Sequence, residues 1–95
     1  MGLGRAVSPF FINHQPTAFW RLNDHFRLPP GETVLDVIDV CRPYSFEAIR
    51  FIAITGRHYI LRPTRIGSRD AATLTERAPG TQTERVIATA MRNVE

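Results

Sequence analysis

The run Leu28-Pro29-Pro30-Gly31 constrains this chain more than any other feature. Leu28 precedes a proline and is pushed out of the helical region, and Pro-Pro-Gly continues as a turn or polyproline stretch. A regular element therefore ends there. The sequence divides into an N-terminal arm, residues 1–32, and a small domain, residues 33–95. Ninety-five residues suffice for one core and not for two. A chain of this length buries a modest fraction of its surface, so a partner is a natural source of added stability. The single cysteine, Cys41, leaves no intrachain disulfide and no cysteine-based zinc cluster.

The arm holds five of the nine aromatic residues, with four prolines and no strand-like alternation. Between Pro16 and Leu28 the residues Phe19, Leu22 and Phe26 fall at i, i+3 and i+7, which predicts a short helix with Pro16 in its first turn. Beyond the boundary, β-branched residues dominate from Thr33 to Ile66 and favour strands. One strand is expected over 33–41 and a turn at 42–45. A hairpin of 49–55 with 58–62 is expected to turn at Gly56-Arg57, placing Ile54 opposite Tyr59 and Ile52 opposite Leu61. The competing reading makes 45–55 a helix capped by Ser45 and 34–41 a second helical stripe. Toward the C-terminus a short helical turn is expected from Asp70 to Arg77. Thr81-Gln82-Thr83-Glu84 has the capping-box pattern, followed by the stripe Val86, Ile87, Ala90, Met91 and Val94, which predicts a helix over 82–93. The expected fold is α+β: a small three-stranded antiparallel sheet, a C-terminal helix, and an aromatic, proline-rich arm carrying a short helix.

All twelve basic residues are arginine, and the formal net charge is +3. Codon bias produces such usage, and so does selection for guanidinium forks that suit phosphates and aromatic faces. Five arginines and no acid lie between Ala48 and Arg69, so the positive charge is local. Arg50, Arg57, His58, Arg62, Arg65 and Arg69 form a candidate phosphate track. The plain structural alternative is a solvated face, or pairing with Asp36, Asp39 and Glu47. The second candidate surface is the arm, where Phe10, Phe11, Phe19, Trp20, Leu22 and Phe26 offer anchors for a neighbouring subunit. Their structural alternative is to fold back over the chain's own sheet.

Catalytic signals are weak. His14, His25 and His58, with Asp24, stand at unrelated spacings and do not suggest a metal site. Cys41 reads as a small core residue rather than a nucleophile. Asp36 and Asp39 would face opposite sides of a strand. No phosphate-loop pattern occurs, and no apolar run is long enough to span a bilayer. The N-terminus lacks the patterns of a secretory signal, a transit peptide or an acylation site.

The resulting expectation is a non-enzymatic structural or adaptor subunit of a larger assembly, of the phage-particle or ribonucleoprotein kind. It would need no cofactor, insert into no membrane and work in a virion or the cytoplasm, with an organelle as a further setting. Its partners would be other protein subunits and, in a second reading, nucleic acid held by the arginine segment. A third reading is a small protein inhibitor of a host complex.

Overall fold

The computed structural model describes residues 7–17, 26–40 and 44–93. Among these residues there is no helix, and the architecture is all-β, with two antiparallel sheets of five and three strands facing one core. The α+β expectation is therefore overturned. The first sheet comprises β1 (Val7–Ile12), β2 (Gln15–Pro16), β3 (Gly31–Asp39), β4 (Tyr44–Ser45) and β5 (Ile49–Ala53). Its order is β2-β1-β3, with β4 and β5 sharing the far edge of β3. The second sheet is β6 (His58–Ile66), β7 (Arg69–Arg77) and β8 (Glu84–Met91), in that order.

β3 is the strand that its sequence announces. Thr33, Leu35, Val37 and Asp39 are buried, while Val34, Asp36 and Ile38 between them are only partly covered, the period-two pattern of a sheet with one face on a core. The boundary before it forms as expected, since β3 begins at Gly31, immediately after the two prolines. β1 crosses the expected division between arm and domain, pairing antiparallel with β3 from Val7↔Asp39 to Ile12↔Leu35. A bulge at Phe10 shifts the register between Pro9 and Phe11. The hairpin from β1 to β2 turns at Asn13-His14, both with positive φ, as a two-residue mirror-type turn requires. Asn13 fixes that tip to β3: its backbone N–H donates to Val34 O at 2.8 Å, and its side-chain oxygen accepts from Val34 N at 2.8 Å.

The hairpin expected at Gly56-Arg57 does not form. β5 pairs with β3, and β6 pairs with β7, so the chain changes sheets at this corner. The reason is the position of the glycine. Arg57 N–H donates to Ile54 O at 3.2 Å, closing a turn in which Gly56, with φ of 86°, is the third residue. Positive φ at the third position alone is the type II pattern, which splays its flanking strands, whereas a hairpin wants it at the second. Gly67 meets that need. It opens the two-residue loop Gly67-Ser68 with φ of 61°, and β6 and β7 pair without a break from Ile66↔Arg69 to His58↔Arg77.

The helix expected over 82–93 is instead β8, and the helical turn expected from Asp70 to Arg77 is β7. β8 pairs with β7 from Ala71↔Met91 to Arg77↔Glu84, with a bulge at Ile87. The capping-box residues serve other ends: Thr81 Oγ1 donates to Ala78 O at 3.1 Å, and Glu84 pairs with Arg62. Tertiary pairing overrides the helical stripe. Of the expected short helix in the arm, Pro16 lies in β2 and residues 26–29 have no regular structure, while residues 18–25 are outside the described residues. The helical alternatives for 34–41 and 45–55 give way to β3, β4 and β5.

The core joins both sheets. Leu35, Val37 and Ile49 of the first meet Ala72, Leu74 and Ala90 of the second, with Phe46 between them. Phe46 also closes one flank of the molecule. Its N–H donates to Val37 O at 3.0 Å, and Glu47 N–H to Met91 O at 2.9 Å, while Glu47 Oε1 accepts from Met91 N at 2.9 Å. Asn93 N–H donates to Ser45 O at 2.9 Å, and the Arg92 guanidinium lies 3.4 Å above the Tyr44 ring. On the opposite flank β1 and β6 approach each other without a hydrogen-bonded ladder.

Candidate functional site

That open flank holds a cleft of about 800 Å³, within the range of ordinary ligand sites. β1 supplies Val7, Pro9 and Ile12 to one wall, and β6 supplies Tyr59, Ile60 and Leu61 to the other. Leu35 and Leu74 form the floor, and Phe26, Leu28 and Pro30 line the side from which the chain enters β3. At one end the corner of Thr55 and Gly56 brings Arg57, His58 and Arg77 into the lining. The cleft is thus an apolar trough with a basic end. Two of its rim residues, Val40 and Ile54, are large apolar side chains left 40% and 44% exposed.

The basic end is organised around Glu76 of β7, which is only 8% exposed. Arg57 Nη1 donates to Glu76 Oε1 at 2.8 Å, Arg85 Nη2 to the same oxygen at 3.1 Å, and the Tyr59 hydroxyl to Oε2 at 3.1 Å. Burial pushes the Glu76 carboxyl up, but the hydrogen bonds from Tyr59 and Arg57 and the charges of Arg57 and Arg85 outweigh it and hold the group below its ordinary value. Tyr59 also accepts a hydrogen bond from Ile54 N–H at 2.9 Å and packs its ring 5.0 Å from that of Phe51. Its pKa is raised, chiefly by burial, with Glu76 adding to the rise. The cluster therefore fixes the sheet-changing corner to the second sheet.

The arginines of the expected phosphate track are distributed over acids that follow them in sequence. Arg57 pairs with Glu76, Arg62 makes two hydrogen bonds to Glu84 across β7, and Arg65 Nε lies 3.4 Å from Asp70. The fork from Arg62 lowers the Glu84 pKa and raises that of Arg62. Arg69 Nη2 donates to Arg92 O at 2.6 Å. Arg50 stands apart from this group, exposed on β5 opposite Val34. His58 is exposed at the start of β6, opposite Arg77. The structure thus brings Arg57 and His58 to the cleft and leaves Arg62 and Arg65 paired with acids, and Arg69 bonded to a backbone carbonyl, along the second sheet.

Of the aromatic arm residues, Phe10 and Phe11 are half-buried in β1 with ring centroids 4.8 Å apart. Phe26 is half-buried and lines the cleft. Phe19, Trp20 and Leu22 lie outside the described residues, as do Cys41, His25 and Asp24. No family model, curated protein or solved structure matches the chain. Among the described residues, no three His, Cys, Asp or Glu side chains stand together as a metal site, and no helix is long and apolar enough to cross a membrane.

Sequence reasoning did not find Val7, Leu28, Tyr59, Leu61 or Arg77 as cleft residues. One signal for the arginine pairs was present: a two-residue loop at Gly67-Ser68 sets Arg65 directly opposite Asp70.

Proposed function

We propose that this chain is a non-enzymatic structural or adaptor subunit, held in a larger assembly by a neighbouring protein that docks on the open flank between β1 and β6. The observation that carries this reading is the apolar cleft itself, with Val40 and Ile54 exposed on its rim. Ile52, Ile66 and Val86 are exposed elsewhere, so the reading rests on the concave apolar lining, the usual form of a binding site, rather than on a gathered exposed patch. Of the arm aromatics, Phe26 lines the cleft and extends the docking surface, whereas Phe10 and Phe11 stand on β1 outside its lining. The setting of such a subunit is a virion or a cytoplasmic particle. The internal pairing of Arg57, Arg62 and Arg65 with acids supports a protein partner over a nucleic acid.

The test is the size of the full chain in an extract of its native source, at low and at high salt. Apolar docking predicts a complex well above the 10.8 kDa of the chain that persists in high salt and is lost in the Ile54→Asp variant. A free monomer at both salts would overturn the reading. So would a complex that sheds nucleic acid as salt rises, because phosphate contacts weaken steeply with salt.

A further inference from the structure

The cleft has two properties beyond being apolar. One wall is a strand edge: among the described strands β6 hydrogen-bonds on one side only, with β7, and on its other side lie the trough and, across it, β1. Pro63 interrupts this edge, since it has no N–H to offer, so the first part of the strand is where an added chain finds a continuous ladder. The second property is a guanidinium at the basic end that no salt bridge among the described residues holds. Arg57 and Arg85 share Glu76, and Arg62 occupies Glu84 with two hydrogen bonds. The Arg77 side chain, whose register places it opposite both His58 and Glu84, makes no hydrogen bond or salt bridge with a described residue, although its charge helps to lower the Glu84 pKa. It is half-buried and lines the trough.

Resting on the subunit reading above, we infer that the cleft takes an extended apolar peptide segment of the neighbouring protein, that this segment adds to the free edge of β6 over residues 58–61, and that a carboxylate on it meets Arg77. An extended peptide satisfies the main-chain groups of a strand edge while its alternate side chains enter the apolar trough, the two components of recognition by strand addition. An aliphatic chain fills the trough equally well but leaves the edge unpaired. The carboxylate requirement follows from charge complementarity: Arg77 is the guanidinium at this end whose nearest acid by register is already engaged.

The experiment uses the full chain, isotope-labelled for NMR, and three capped pentapeptides of four alternating valines and leucines followed by aspartate, asparagine or lysine. Decanoate serves as the non-peptide probe. The expected result is a set of shifts confined to the cleft, slowed amide exchange within residues 58–61, and binding of the aspartate peptide about tenfold tighter than the lysine peptide. Arg77→Gln, whose spectrum reports whether it folds, should erase that preference. Equal binding of the three peptides, protection on another strand, or binding of decanoate with none of the peptides would overturn the inference. Failure here is separable from failure of the subunit reading. If the native complex survives high salt and Ile54→Asp releases it, yet no peptide binds, only the strand-addition inference falls. If Ile54→Asp leaves the native complex intact, docking on this flank falls with it.

Discussion

The first sheet buries one face of β3, and the second buries both faces of its central strand β7. In β3 the covered positions alternate strictly, and Leu35, Val37 and, from β5, Ile49 fill the core. In β7 nearly every position is covered: Ala71 and Thr75 on the outer face are as enclosed as Ala72 and Leu74 on the inner. The outer cover comes from long neighbours on the flanking strands, including the Arg62–Glu84 pair that reaches over β7. A sheet can therefore be built by one-sided hydrophobic packing, or by a small-residue centre strand roofed by its neighbours' side chains. Only the first leaves a period-two trace in the sequence.

Substitutions separate the two designs. The largest effect is expected at the shared core, where Leu74, 1% exposed, touches both sheets; Leu74→Ala should cost about 2–5 kcal/mol in denaturant unfolding. A next-smaller effect tests the small-residue strand: Ala72→Leu should cost about 1–3 kcal/mol by overpacking, and a neutral result would mean that the interior at β7 has room to spare. Gly67→Ala leaves open space around the new methyl group but forces positive φ on a residue that resists it, so a loss of about 1 kcal/mol is expected, read from the thermal midpoint. The smallest effect is expected for Ile52→Ala on the outer face of the first sheet, where the side chain is 57% exposed: within about 0.5 kcal/mol of the parent.

The ionic roof of the second sheet is also tested by pH. Glu76 and Glu84 have folded-state pKa values below the ordinary 4.5, so each contributes stability that is complete above that pH and is lost as pH falls through the lowered value. Denaturant midpoints should fall below pH 4.5, and Glu84→Gln should remove part of that acid loss. High salt should shrink the difference between parent and variant at neutral pH, because the Arg62–Glu84 pair is exposed. A difference unaffected by salt would mean that Glu84 acts through packing.

The legibility of the fold follows the same division. β3 was readable because Thr33, Val37 and their neighbours alternate in a β-branched run that starts after Pro29-Pro30. β7 and β8 were not, because Ala, Thr, Leu, Glu and Met recur there without alternation, and several of these are good helix formers. The Thr81-to-Glu84 spacing then imitated a helix cap. At the turns Gly56 and Gly67 look alike in sequence and both take positive φ, but only Gly67 stands at the position that closes a hairpin. The candidate site was less legible than the fold. Its lining comes from Val7, Leu28, Tyr59 and Leu74, which no local spacing connects and only the docking of two sheets brings together. The arginine cluster was visible, yet its pairing with Asp70, Glu76 and Glu84 depends on strand register.

The central claim is that the flank between the sheets, and not the outer face of the second sheet, meets the partner. Ile54 on the cleft rim and Val86 on β8 are both exposed, at 44% and 57%, so a photo-crosslinking residue at either position reports contact without disturbing the core. In native extract at high salt, the account predicts a discrete protein crosslink from position 54 and none from position 86. A crosslink from position 86 alone, or one from position 54 to nucleic acid, would contradict it.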